Sequence, residues 1–282
     1  MVTDLQKKKA LNFLSQHKND KILLLPNIWD PIGARILEAK GFPSVATASA
    51  AISASLGYKD GEKIKFSTHL EVIKRISASV GIPVTADIEA GYASDLSELK
   101  ENINLLIDTG AVGINLEDSV GKEGVLRNVG EQADRISTVR ETAESRGIHL
   151  VINARTDRFL GKSEKSNSEL IEEAVKRAKE YIKAGADCVY PVGVLDLETV
   201  LTLRKEIKSP INILGSAKSV PLKTLQEIGI NRVSFGPFIF RSMLKKFSDI
   251  VDEIAALGSY DSFGKNSFTF DDVQKFLKQE NE

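Results

Sequence analysis

Short apolar runs alternate with amphipathic stretches eight times along this chain, and that alternation restricts its fold more than any other feature. The runs at 22–26, 44–47, 84–87, 112–116, 150–154, 187–190, 211–214 and 232–235 read as buried strands. Between them, helical patterns occupy 31–40, 68–80, 97–109, 131–146, 168–184, 197–207 and 222–228, and one more follows Pro237 to about residue 256. The first opens with Asp30 as cap and Pro31 in its first turn, and Ser168 is placed to cap the fifth. Gly41, Gly110, Gly185 and Gly229 stand where four of the helices stop. A strand followed each time by a helix demands a parallel sheet, and eight such units predict an α/β fold of the (β/α)8 TIM-barrel type, typically about 250 residues. An open doubly wound sheet is the alternative, but no GxGxxG follows the first strand. A polar helix at 4–17 precedes the barrel. A last helix at 271–279 follows the polar linker GKNSFTF, and is the one appendage able to reach another subunit. No boundary divides the middle of the chain, so residues 1–282 read as one domain.

Composition removes several classes of function. A formal net charge of −1 offers no basic face for phosphate neutralisation, so nucleic acid is not an expected partner. One cysteine, Cys188, supports neither a disulfide framework nor a four-cysteine zinc site, and its place inside a strand predicts a buried packing residue. The N-terminal sequence has no signal-peptide pattern, and no apolar run approaches the roughly 20 residues of a membrane span. A soluble, cytoplasmic protein with no membrane association is expected. There is no Walker loop, HExxH or Ser-His-Asp order. His17, His69 and His149 lie away from strand C-terminal ends and read as structural.

Chemistry in this fold sits at the C-terminal ends of the strands. Those ends carry Trp29 and Asp30, then Thr47 to Ala51, then Asp87 and Glu89. Next come Glu117 and Asp118, then Asn153, Arg155 and Asp157, with Tyr190, Gly215 and Ser216 on later strands. The third strand, PVTADIEAGYA, matters most. Residues two apart in an extended strand share a side, so Asp87 and Glu89 should project together. Two carboxylates on one face repel and lose hydration unless a cation lies between them, and a hard oxygen-liganded ion, Mg²⁺ rather than Ca²⁺, suits so few ligands. A solvated acidic turn is the alternative reading. Arg155 could bind an anionic substrate with its two-pronged guanidinium, or pair structurally with Asp157 or Glu117. The small stretch Ser49-Ala50-Ala51 leaves backbone amides open to a carboxylate or enolate oxygen. The segment SVGKEGVLRNVG at 119–130 is long for a connection of this kind and reads as a lid over the site, or as a plain surface loop.

Taken together, LPNIWDPIGARILEAKGFPSVATASAAISASLGYKDGE, TADIEAGYA, VGINLEDS and INARTDRFL resemble the isocitrate lyase / phosphoenolpyruvate mutase superfamily, in register from about residue 25 to 241. The resemblance implies a (β/α)8 barrel whose last helix is exchanged between subunits, giving a homodimer or homotetramer. It implies Mg²⁺, with Mn²⁺ as a substitute, and a small anionic carboxylate substrate cleaved through a pyruvate enolate or a related species. Asp87 would be the main metal carboxylate, with Asp60, Glu89 and Glu117 ligating directly or through water. Arg155, Glu117 and Asp60 would form the catalytic set. Trp29, Thr47, Ser49, Ala50 and Asn153 would line the substrate with Arg155, which would hold its carboxylate. The sequence departs from the family pattern at three points. Asp-x-Asp is here Asp87-Ile88-Glu89; the 119–130 loop lacks the cysteine and histidine of the lyases; and the phosphonomutase histidine after the sixth strand is Val192. Carbon–carbon cleavage of decarboxylase or lyase type is therefore expected first, with phosphonomutase-type P–C chemistry as the alternative.

Overall fold

The computed structural model describes residues 2–161, 163–264 and 267–277. Its strands are β1 Leu23–Leu25, β2 Asn27–Ile28, β3 Val45–Thr47, β4 Val84–Asp87, β5 Gly113–Glu117, β6 Ser119–Val120, β7 Lys122–Leu126, β8 Val151–Thr156, β9 Cys188–Pro191, β10 Asn212–Leu214 and β11 Arg232–Ser234. Its helices are α1 Asp4–Gln16, α2 Pro31–Ala39, α3 Ser49–Ser55, α4 Phe66–Ser79, α5 Leu96–Ile107, α6 Val129–Ser145, α7 Asn167–Lys183, α8 Leu197–Glu206, α9 Leu222–Glu227, α10 Phe238–Ala255, α11 Asp261–Gly264 and α12 Phe270–Leu277. Two parallel sheets carry the fold, in the orders β1-β11-β10 and β2-β3-β4-β5-β8-β9. Only Pro26 separates β1 from β2, and a parallel bridge from Val189 to Ile211 links β9 toward β10. The result is a TIM-barrel-like α/β fold. Each of the eight runs read as a strand is one, within a residue or two at its ends.

The strands read as unbroken apolar runs because parallel strands are covered on both faces. Ile114, Leu116, Ile152 and Ala154 pack with Leu99, Ile103, Ile136 and Val139 of α5 and α6 in one buried cluster. Val189, Ile211, Ile213 and Val233 pack with Val200, Leu203 and Leu225 in a second. Beneath the strands, α1 sets Phe13 and His17 edge to face, with centroids 4.8 Å apart. A Cβ at Gly113 would lie 2.7 Å from Phe13 Cε1 and 2.9 Å from Thr85 Oγ1, so only glycine lets the helix seat this deeply. Burying a side chain the size of Phe13 contributes about 2–3 kcal/mol.

Besides the short β2 and α11, three features differ from the sequence expectation. The small-residue stretch after β3 is a helix, α3: it carries no amphipathic period because it is largely buried, but alanine is the strongest helix former. The segment expected as an irregular loop is the antiparallel hairpin β6–β7, turned by Gly121 at φ +56°. The cap of α7 is Ser166, not Ser168, because Ser166 and Glu169 form a reciprocal capping box. Toward the C-terminus, α12 returns to α2, where Arg35 Nη1 donates to Phe276 O at 3.3 Å. The linker positions 265–266 and the end of the last expected helix, 278–279, lie outside the described residues. Among the described residues no helix is long and apolar enough to cross a membrane.

Candidate active site

Asp87 ends β4 and is held from below. Its N–H donates to Thr47 Oγ1 at 2.9 Å, and its Oδ2 accepts from Ser49 Oγ at 2.8 Å and Ser49 N at 3.3 Å. Ser49, the first residue of α3, therefore fixes the carboxylate rotamer, and Thr47 anchors the backbone beneath it. The other oxygen, Asp87 Oδ1, is buried and has no hydrogen-bond partner among the described residues. A buried, unpartnered carboxylate oxygen is costly, and its unused lone pairs are available to an outside group. Ala50 lies one residue further into the same first turn of α3, where amide hydrogens have no intrahelical acceptor. Trp29 packs edge-on against Phe240 at 4.9 Å beside Ala48 and Ala51, forming an apolar wall.

On the neighbouring strands the arginine is tied to two acids. Arg155 Nη1 lies 2.7 Å from Glu117 Oε2, while Nε and Nη2 donate to the two oxygens of Asp157 at 2.6 and 2.9 Å. A guanidinium has five N–H donors, so two remain for a substrate. Both of the roles open to Arg155 in the sequence are thus compatible. Ser119, at the start of the hairpin, hydrogen-bonds the other oxygen of Glu117. Asp118, next in the chain, faces away from this group. It accepts from Tyr181 Oη at 2.7 Å, Arg177 Nη1 at 3.1 Å and Asp157 N at 3.1 Å, which fixes the ends of β5 and β8 together. Asn153 sits one layer deeper on the same side of β8 as Arg155, and donates to Asn115 Oδ1 at 2.8 Å.

Glu89 does not share a strand face with Asp87 as alternation predicts, because β4 ends at Asp87 and Glu89 has φ +53°. Its carboxylate still joins the cluster, but by another route. Oε2 accepts from Glu62 N at 2.7 Å and Oε1 from Tyr92 Oη at 3.0 Å. Glu62 returns the bond, accepting from Tyr92 N at 2.7 Å. His69 Nδ1 lies 3.0 Å from Tyr92 Oη, and the Tyr92 ring stacks on Phe66. Tyr92, His69 and Glu62 were invisible as site residues in the sequence. The only signal is the Gly-Tyr pair just after Glu89, and spacing alone does not reveal a left-handed backbone.

Charge is unbalanced here. Burial, then repulsion from Asp60 and Asp87, pushes the Glu89 carboxyl up to about 7. Asp60, although exposed at the rim, is raised by partial desolvation and by Asp87. Burial raises Glu117 and Asp157 too, against the pull of Arg155. Burial disfavours the Arg155 cation, but Glu117 and Asp157 outweigh it and hold the guanidinium protonated. The site thus gathers more carboxylate than its one arginine neutralises. Among the described residues no three His, Cys, Asp or Glu groups stand ready-made as a cation cage. Mg²⁺ does not require one, since it binds through one or two carboxylates and keeps several waters. The free Oδ1 of Asp87 within an acidic group fits such an ion.

The phosphoenolpyruvate phosphomutase family model matches residues 13–255. The chain belongs to that family. It therefore falls in the isocitrate lyase / phosphoenolpyruvate mutase superfamily of lyases and mutases. A 2-methylisocitrate lyase of Aeropyrum pernix is 25% identical over 242 residues, 84% of this chain and 77% of that protein. An oxaloacetate decarboxylase of Pseudomonas fluorescens is 25% identical over 247 residues, 86% and 83% of the two chains. Among solved structures, a Burkholderia cenocepacia J2315 protein assigned provisionally as a phosphonomutase superposes with a TM-score of 0.83 at 33% identity, covering 88% of this chain and 99% of its own.

Proposed function

We propose that this family member is a Mg²⁺-dependent enzyme that cleaves a carbon–carbon bond of a small oxo- or hydroxy-dicarboxylate, with a pyruvate enolate as the developing species. The observation that carries this reading is the buried, unpartnered Oδ1 of Asp87, set among carboxylates and beside an arginine with donors to spare. Asp87 would hold the ion, with Asp60 and Glu117 accepting from water around it, while Glu89, whose two oxygens take the Glu62 amide and the Tyr92 hydroxyl, stands behind Asp60. When bound, Mg²⁺ (or Mn²⁺) supplies Lewis-acid polarisation of the substrate's oxygens. Arg155 orients the substrate carboxylate through its two remaining N–H groups, and the Ala50 amide in the first turn of α3 is left for its oxygens, since the Ser49 amide is given to Asp87. Trp29 and Phe240 shield one side from water. Asn153 acts from the layer beneath.

Decarboxylation suits this chain because the leaving CO₂ needs no protonation, and the 119–130 segment has no cysteine to serve as an acid. The family description and the Burkholderia neighbour favour phosphonomutase-type P–C chemistry as a second reading. Val192 counts against it: the residue is buried and contributes only a backbone N–H to Thr156 O at 3.1 Å.

We further read the protein as a cytoplasmic single-domain homodimer or homotetramer. Along α10 only Phe240 is buried, while Met243, Leu244, Phe247 and Val251 face outward, an apolar stripe of the kind that subunits cover. The deciding assay sets purified enzyme with Mg²⁺ against oxaloacetate, methylisocitrate and phosphonopyruvate. Turnover of the first above the others is expected. Turnover of phosphonopyruvate alone would move the assignment to P–C chemistry.

A further inference from the structure

An exposed loop and a buried one meet at the rim of the site, and both depart from the ordinary backbone regions. One carries Asp60, Gly61 and Glu62; the other carries Glu89, Ala90, Gly91 and Tyr92. Of the four non-glycine residues with positive φ among the described residues, three are here: Glu62 at +57°, Glu89 at +53° and Tyr92 at +51°. Such residues are uncommon, and each costs energy that surrounding bonds must offset. The bonds that do so run both ways between the loops. The Glu62 amide donates to the Glu89 carboxylate at 2.7 Å, and the Tyr92 amide donates to the Glu62 carboxylate at 2.7 Å. The second oxygen of Glu89 takes the Tyr92 hydroxyl at 3.0 Å. From below, fully buried His69 meets that hydroxyl at 3.0 Å, and buried Arg135 holds the loop's carbonyls through Nη2 to Ala90 O at 2.6 Å.

We propose that Glu89 is a positioning residue: its carboxylate clasps the Asp60-Gly61-Glu62 loop to the rim, and so sets the distance of Asp60 from Asp87. The inference deepens the proposed metal-dependent function and rests on it. The chemistry requires a glutamate. With one methylene fewer, an aspartate at position 89 would keep the charge but fall short of the Glu62 amide and the Tyr92 hydroxyl together. Glu89 then acts on the metal site through Asp60, and the longer second carboxylate of the Asp87-Ile88-Glu89 sequence has a geometric reason. Gly91 belongs to the same device: at φ +95°, a Cβ there would lie 2.7 Å from Leu99 Cδ1, so the turn that presents Tyr92 tolerates nothing larger.

The test uses the full-length protein and two readouts. Amide hydrogen exchange over 59–63 should accelerate about tenfold or more in Glu89→Asp and in Tyr92→Phe, the scale of losing one hydrogen bond to a charged group. The core strands, unchanged in exchange, report that each variant is folded. Mn²⁺ alone is then titrated by water-proton relaxation into wild type, Glu89→Asp, Asp60→Asn and the double variant. If Glu89 works through Asp60, Glu89→Asp weakens Mn²⁺ binding in the wild-type background but adds nothing once Asp60 is asparagine. Independent, multiplying losses would make Glu89 a metal group in its own right and overturn the proposal, as would unchanged exchange at 59–63. If wild type binds no Mn²⁺, the metal reading of the site fails, and with it the positioning role, whatever the exchange shows about the clasp.

Discussion

Carboxylates at the two ends of the same sheet live under opposite conditions. Asp187, just before β9 at the N-terminal edge, is saturated. It accepts from Arg140 Nη2 and His149 Nε2, both at 2.7 Å, and from Ile152 N at 2.9 Å. Burial would raise its carboxyl, but His149, Arg140 and the Ile152 amide outweigh burial and hold it below the usual range. At the C-terminal edge, Asp87 keeps one oxygen without a partner, and Glu89, Glu117 and Asp60 are all held above the usual range. A charge that closes a fold is matched within the fold, whereas a charge kept for an external cation or substrate is left short. The strained backbone follows the same division: Glu62, Glu89 and Tyr92 all lie at the C-terminal edge.

The sharpest way to break this comparison is to neutralise one aspartate at each edge. Asp87→Asn should weaken Mg²⁺ binding and lower turnover by at least about a hundredfold, more than the 10–100-fold typical of outer-shell partners. Metal-free stability should hold or rise, since the substitution relieves repulsion in the acidic group. Full turnover by the wild type in excess EDTA would end the metal reading. Asp187→Asn should do the reverse. Leaving Arg140 without its buried partner should cost about 3 kcal/mol in urea unfolding, with Mg²⁺ affinity unchanged. A metal defect in Asp187→Asn would mean that the two edges are not separable.

The same division explains what was legible in the sequence. Period and punctuation gave all eight strand runs and most helix ends, because burial on both faces and glycine stops are local signals. Asp87, Glu117 and Arg155 were legible because strand ends lie at predictable places and carry charge. The hydrogen-bonded surroundings were not. Ser49 on Asp87 and the Glu62–Tyr92–His69 group join distant parts of the chain, and Ser119 reaches back to Glu117 from the start of a hairpin. The Glu62–Tyr92 geometry also comes from left-handed residues that no hydrophobic period encodes. His69 reads as a buried core histidine, and it is one; its neighbour gives it a place behind the site. Within the segment read as a lid, Arg127 pairs with Glu131 at 2.7 Å.

A pH scan sharpens the contrast at smaller scale. Burial, then Asp60 and Asp87, push the folded Glu89 carboxyl up to about 7 from the 4.5 of an ordinary glutamate. Between those values the native protein keeps a proton that the unfolded chain has lost. Its contribution is therefore whole below about pH 4.5, shrinks as pH rises, and is gone above about 7. Metal-free protein should lose about 1–3 kcal/mol over that window. Saturating Mg²⁺, which favours the ionised carboxylates, should remove most of the loss. Asp187 works with the opposite sign: its contribution is present above about 3.8 and disappears as pH falls through its lowered folded value. Calorimetric melting from pH 3 to 8, with Mg²⁺ and with EDTA, separates the two edges. A metal-independent profile above pH 5 would remove the C-terminal edge from this account.

The smallest expected effect is none at all, and it concerns the protein's one thiol. Cys188 opens β9, is fully buried, and pairs in register with Asn153 deep inside the sheet. Burial pushes its thiol up to about 12, so almost no thiolate exists near neutrality to attack an alkylating reagent. The hairpin β6–β7 touches Glu117 through Ser119 and has no cysteine with which to protonate a leaving group. It is expected to close over the site and exclude water without taking part in proton transfer. Iodoacetamide should therefore leave native activity unchanged and label Cys188 only after unfolding. Oxaloacetate decarboxylation should exceed methylisocitrate or isocitrate cleavage before and after treatment. Strong isocitrate-type cleavage that alkylation abolishes would require a reactive cysteine at the C-terminal edge, where this chain has none. Cys188 would then have to reach the site by an opening of β9, and the clean separation between a closed fold and an open site would fail at that strand.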